Sequence, residues 1–359
     1  MDEQIKPGFW AGVRKHRTLI LSIAGVLLIA GATTAAFLLL YPKPIEVQPV
    51  AQVKKEEPAP EPVKYYSPLT GKLVADLAST KQPVTGVMIE NSPTARPQSG
   101  LKNSGVVFEA IAEGGITRFM VMYQSEKPGL LGPVRSLRLY DVDWLAAFNA
   151  GIAHIGGSAA ALVEVRNGSY RDLDQFFNSG SYYRANDRPA PHNVYTTFPL
   201  LDALNAKKGY TESSFTGFSR LDGKPVTTPD ASSVTIIISS ALYNSTYAYD
   251  AATNTYARSQ AGAPHLDRED GQINPSVVIA MRVDESTVFE DGNREKIVTI
   301  GSGAATIFQN GTAIPVTWAK PAKSAQITFT DASGKDVPLV RGQTWIAAVK
   351  NNGGDVSWR

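Results

Sequence analysis

A chain of 359 residues with 43% hydrophobic and 19% charged side chains is long enough for two ordinary domains and mixed enough to fold. Its formal net charge of +2 gives no basic field that would recruit nucleic acid, so nucleic-acid binding is set aside. The absence of cysteine removes disulfides, thiolate nucleophiles, thiolate zinc sites and a lipid-modified cysteine anchor together.

The first marked feature is Thr18 to Tyr41, TLILSIAGVLLIAGATTAAFLLLY, which carries no charge. Some twenty apolar residues rising about 1.5 Å each span a hydrocarbon core of roughly 30 Å. Lys6, Arg14, Lys15 and Arg17 precede the run, whereas Lys43 follows it alone until Lys54 and Lys55. Basic flanks stay in the cytoplasm, which predicts a cytoplasmic tail (1–17), a single-pass anchor (18–41) and an extracytoplasmic remainder. Trp10 and Tyr41 are placed to sit at the two interfaces. Ala30-Gly31-Ala32 has the small-x-small form of a cleavage site, but the apolar run continues through Phe37 and three leucines, beyond a signal h-region. An uncleaved anchor is the expectation. Residues 42–66 are dominated by proline and charge without apolar periodicity, which predicts a semi-extended spacer.

Beyond the spacer, apolar runs alternate with turn clusters. Val84–Glu90, Phe119–Tyr123 and Ala150–Ile155 read as strands, Leu137–Ala150 as an amphipathic helix, and Ala159–Val165 as a helix opening at Ser158. This interleaving predicts a mixed α/β domain over 67–207. A stretch rich in Ser, Thr, Gly and Pro, 208–230, reads as a boundary. Short β-branched or aromatic runs then follow, among them Val234–Ser239, Thr255–Arg258, Val277–Met281, Ala305–Phe308, Ile314–Trp318 and Thr344–Val349. They predict a mostly β domain over 231–350. The expected fold class is α+β, with the α/β domain first and the β-rich domain second, behind a single transmembrane helix.

Several motifs carry a family resemblance. They are Ser67-Pro68-Leu69-Thr70-Gly71, Glu90-Asn91-Ser92, Ala95-Arg96-Pro97-Gln98-Ser99-Gly100, Glu113-Gly114-Gly115-Ile116-Thr117-Arg118, Gly132-Pro133-Val134-Arg135-Ser136 and Ala190-Pro191-His192-Asn193-Val194-Tyr195-Thr196. Tyr249-Asp250, Tyr256-Ala257-Arg258, His265-x-Asp267 and Gly342-Gln343-Thr344-Trp345-Ile346 continue them in the second half. Together they resemble the YerB-like lipoproteins, domain-of-unknown-function family 3048, with its N- and C-terminal domains. The resemblance implies an architecture and a compartment and carries no activity. This chain departs from it in lacking a modifiable cysteine, whose place the apolar helix takes.

Four groups of residues offer chemistry. Arg96, Arg118, Arg135, Arg138, Arg184 and Arg188 present planar forks suited to carboxylate or phosphate, as on wall peptides and anionic wall polymers. Arg135 and Arg138 would share one face of a helix starting near Pro133. The plainer reading pairs these arginines with Glu90, Glu109, Glu113, Asp141, Asp143 or Asp187. Glu109 and Glu113 share a face whether the segment is helical or extended, so they suit acid–base work, or equally pairing with arginine. Ser158, after His154 and Gly156-Gly157, is an N-cap before it is a nucleophile, since the G-x-S-x-G elbow is incomplete. The loop 183–196 offers His192, Asn193 and Tyr195 for hydrogen bonding and sugar stacking, or merely for capping its own backbone. His265 with Asp267, Glu269 and Asp270 lacks metal-ligand spacing, so neither metal nor cofactor is expected.

The expectation is a membrane-anchored binding or accessory protein whose arginine-rich cleft holds an anionic wall component or peptide, with wall polymer or envelope proteins as partners. A wall hydrolase using Glu109, Glu113 or His192 is the second reading. A purely structural membrane scaffold is the third.

Overall fold

The computed structural model describes residues 17–43, 46, 63–289 and 292–359. The basic residues before Arg17, Trp10 and most of the expected spacer lie outside the described residues. Contacts divide the chain into Met1–Glu61 and Pro62–Arg359. In the first unit, α1 (Arg17–Leu40) is one uninterrupted helix of 24 residues with no buried side chain. It is long and apolar enough to cross a membrane.

In the second unit, β1 (Thr85–Glu90), β2 (Val106–Glu113) and β3 (Ile116–Tyr123) are almost wholly buried. They are followed by α2 (Leu139–Leu145), β4 (Gly151–Ala153), α3 (Ala159–Asn167), β5 (Arg171–Asp172) and α4 (Phe198–Lys207). Helix α2 is shorter than the apolar pattern predicts. Leu137 is tied by backbone bonds to Gly156 and Ser158, and Asn149, left-handed at φ 49°, follows the short 3₁₀ turn after the helix.

The second half supplies β6 (Ser233–Ile237), β7 (Ser245–Asp250), β8 (Thr255–Gln260), β9 (Ala263–Pro264), β10 (Val277–Val283), β11 (Glu285–Val288), β12 (Arg294–Ile297), β13 (Gly301–Gln309), β14 (Thr312–Lys320), β15 (Thr328–Thr330), β16 (Thr344–Lys350) and β17 (Asp355–Trp358). The fold is thus mixed α/β with a mostly β C-terminal region.

The two halves are joined by one ten-stranded sheet, ordered β15-β14-β13-β10-β16-β2-β3-β1-β4-β5. Strand β16 of the second half pairs in parallel with β2 of the first, Trp345 opposite Val107. Strands β10, β16, β2, β1, β4 and β5 all run the same way, and β3 runs against its neighbours. One face of the sheet is covered by α2, α3 and the residues around Phe218, with Met88, Phe108, Trp144 and Ile346 in that core. The other face is covered by α4 and a five-stranded sheet, β9-β8-β7-β6-β17, with Phe119, Trp345, Tyr247 and Tyr256 between them. Buried on both faces, the central strands read as continuous apolar runs, as parallel strands do.

Candidate functional site

Six parallel strands place their carboxyl ends along one edge of the sheet, the edge at which open α/β sheets hold ligands. Glu90 ends β1, Glu113 ends β2, and Arg118 lies at the start of the antiparallel β3, opposite Glu90 in the ladder. The segment Gly132–Arg138 runs alongside, its backbone bonded to Glu90 through Pro133 and to Met88 through Arg135. It brings Arg135 and Arg138 to the same edge.

Around Glu113 the charges interlock. Arg118 donates to one carboxylate oxygen at 2.9 Å, and Arg138 donates through Nε to the other at 3.1 Å and again through its terminal nitrogen. Arg294, from β12, stands 4.0 Å away. Burial pushes the Glu113 carboxyl up, but Arg118 and Arg138 outweigh that and hold it at about 2. Asp141, buried beside this group and accepting from the Arg138 backbone N–H, is pushed up to about 7 by desolvation, against the pull of that hydrogen bond and both arginines.

The second cluster centres on Glu90, which is 4% exposed. Its Oε1 accepts from Ser92 Oγ at 2.8 Å and from His192 Nδ1 at 2.8 Å, and Arg135 Nε lies 3.3 Å from Oε2. The Nδ1–H of His192 is committed to the carboxylate, which leaves its Nε2 outside that bond. Glu90, Glu113, Arg118, Arg135 and Arg138 thus meet at one edge of the sheet.

Beneath the edge lies a polar network closed to solvent. Glu109, 1% exposed, accepts from Arg258 at 2.8 Å, from Trp345 Nε1 at 3.0 Å and from Thr117 at 3.1 Å. Arg258 also donates to Tyr247 and Gln260 and lies 4.6 Å over the Trp345 ring. Arginine has no acceptor, so its bond to His265 Nδ1 fixes the proton on Nε2, which donates to Gln98 Oε1 at 3.0 Å. Burial, with Arg258 beside it, holds His265 far below its usual pKa and neutral. Gln98 then donates to Glu90 O and to Asn91, so the network ends at the loop that shapes the edge.

The folded protein overturns several expectations. Glu109 and Glu113 do not share a face, because a bulge between Ile111 and Glu113 turns Glu113 toward α2 while Glu109 points to the five-stranded sheet. Arg135 and Arg138 do not lie on one helix: Arg135 is extended, and Arg138 is the residue before α2. Tyr195 is fully buried, so it presents no face for a sugar. Asn193 is engaged within its own loop, accepting from Arg184 and donating to the Ala185 carbonyl. Arg188 binds the carbonyls of Ala95 and Pro97, and Arg96 binds those of Asn91 and Leu242, which makes both braces of the 91–98 loop. His154 is completely buried, with both ring nitrogens bonded to Gly156 O and Asp172.

The sequence alone did not single out Arg258, the Glu90–His192 pair or Arg294. Arg258 had a readable signal, since Tyr256, Arg258 and Gln260 alternate inward along β8. The others meet partners distant in sequence.

Comparison with known proteins agrees with this architecture. Residues 69–211 match the family described as protein of unknown function (DUF3048), N-terminal domain, and 234–346 match its C-terminal domain. The chain is 32% identical over 295 residues to "Putative lipoprotein YerB" of Bacillus subtilis (strain 168), covering 80% of this chain and 86% of the relative. The crystal structure of the Bacillus subtilis YerB protein superposes with a TM-score of 0.72 at 29% identity, over 82% of this chain and all of that one. With both domain matches in order and most of the chain shared with that relative, the protein belongs to the DUF3048 family.

Proposed function

We propose that this protein is anchored by α1 as a single-pass membrane protein with its folded unit outside the cytoplasm, where it binds an anionic component of the cell envelope. The lipoprotein name of the relative and the apolar helix support the membrane association. The orientation follows from the basic residues before the helix. The observation that carries the binding reading is the convergence of Arg118, Arg138 and Arg294 on the single carboxylate of Glu113, at the carboxyl edge of the sheet. Guanidiniums gathered at one edge of the sheet suit the recognition of a carboxylate or phosphate.

Sedimentation of the full chain with purified cell wall tests this. The protein is expected to pellet with the wall, to be released by added salt, and to be retained less when Arg135→Gln removes a charge. Failure to pellet with walls, or retention unchanged by salt and by that substitution, removes the reading. Protease added to wall-stripped cells is expected to reach the folded unit.

A hydrolase is the second reading, favoured only by the Glu90–His192 pair. Glu109 is sealed from solvent and Glu113 is held ionised between arginines, so neither fits acid–base work. His192, oriented by Glu90, leaves Nε2 able to take a proton from water. In that case wall fragments would be released, and His192→Ala would reduce the release about 100-fold or more. An unchanged profile of wall products with wild-type protein discards it.

A further inference from the structure

We infer that the cavity between the 216–220 segment and β15 binds an extended, uncharged stretch of polypeptide through its main chain and one apolar side chain. This goes beyond anion binding and concerns the opposite edge of the sheet.

The cavity measures about 780 Å³, in the range of ligand sites. Arg220, in its wall, donates to Thr344 Oγ1 at 2.8 Å and to Leu69 O at 2.7 Å. Thr344 opens β16, so the cavity lies at the amino ends of the parallel strands, away from Glu90 and Glu113. Main chain on both sides of it lacks partners. Phe218 is 8% exposed and belongs to no strand, and neither its N–H nor its C=O bonds to a described residue. Ile327, 4% exposed and one residue before β15, makes no main-chain bond to a described residue either. Next to it, the side-chain amide of Gln326 is shut off from solvent, and both its nitrogen and its oxygen lack a partner among the described residues. Enclosed donors and acceptors of this kind are almost always paired. An extended peptide carries alternating N–H and C=O groups, which is the complement these three residues call for.

The deepest wall is apolar, with the Phe218 and Phe329 rings 6.0 Å apart beside Val337 and Leu339. Phe329 is 2% exposed, so these rings are set too deep to stack on a sugar face, whereas a single apolar side chain can pack against them. Charge narrows the choice further. Arg341 is paired with Asp222 at 2.8 Å, and the other lining cation, Arg220, shares the wall with the acid Asp336. With these charges opposed, the cavity favours a neutral segment over an anion.

Isothermal titration of the full chain in a nonionic detergent tests the inference. The probes are a capped valine-phenylalanine-valine tripeptide, the same tripeptide N-methylated at phenylalanine, capped triglycine and the trisaccharide chitotriose. The first is expected to bind about tenfold more tightly than its N-methylated form, which loses one main-chain donor. Capped triglycine, with no apolar side chain to bury, is expected to bind more weakly still, and the trisaccharide not at all. Gln326→Met keeps the volume and removes the amide. That amide bonds to no described residue, so the variant is expected to hold or raise the thermal midpoint while weakening the tripeptide about tenfold. Four results overturn the inference: no tripeptide binding, equal affinity for its N-methylated form, wild-type affinity in Gln326→Met, or a trisaccharide that binds as tightly. None of them bears on wall sedimentation, which reads the other edge of the sheet.

Discussion

At the scale of single residues, the charged edge makes opposite demands on two acids. Glu113 sits at about 2 in the folded protein against an ordinary 4.5, so its stabilisation is complete above 4.5 and is lost as pH falls through about 2. Glu113→Gln is therefore expected to lower the urea midpoint at neutral pH and to match wild type near pH 2. Asp141 is raised from 3.8 to about 7, so its contribution is complete below 3.8 and is lost as pH rises through about 7. Asp141→Asn is expected to flatten the decline of stability between those limits, as read from the same midpoints. Arg258 is a third case, because it is wholly buried and its charge is balanced by Glu109. Arg258→Ala leaves that carboxylate buried and unpaired, and is expected to cost about 3–5 kcal/mol in chemical denaturation. The double variant Glu109→Leu with Arg258→Met is expected to recover most of that loss. Residue types were legible in the sequence here, and the arginines suited to carboxylates were identifiable. Their partners were not, since Arg258 meets Glu109 across 149 positions.

Among the elements, one extra residue decides what the edge presents. Strand β2 would place Glu109 and Glu113 side by side by simple alternation. The bulge before Glu113 sends it instead to the arginines of the α2 side. The Gly132–Arg138 segment is the other deciding element. Gly132 adopts φ 146°, and a Cβ there would meet Val194 O at 2.9 Å and the Tyr195 ring at 2.7 Å. Gly132→Ala is expected to destabilise by about 1–3 kcal/mol and to loosen Arg135 from Glu90, visible as a lower thermal midpoint and weaker wall retention. Strands at Thr85–Glu90 and Val277–Val283 were readable because double burial makes them continuously apolar. Strand β17 and helix α4 escaped notice. Asp355–Trp358 gains its place only by pairing with β6, and α4 buries just four of its ten residues.

For the whole molecule, the important contact is β2 against β16. It puts strands from both halves into one sheet, and Trp345 of the second half donates to Glu109 of the first. The unit Pro62–Arg359 is therefore expected to unfold in a single calorimetric transition. A fragment ending at residue 211 is expected to lack cooperative unfolding, because β2 would lose its neighbour and expose an open edge.

The sequence by itself determined the apolar helix, the α/β-then-β order of the chain and the family, because each is written in local composition, periodicity and short motifs. The tertiary structure alone decided that both halves share a sheet, that Glu109 is sealed while Glu113 faces the arginines, and that His192 leans on Glu90. These outcomes depend on strand register and on pairs far apart in the chain, and local pattern fixes neither.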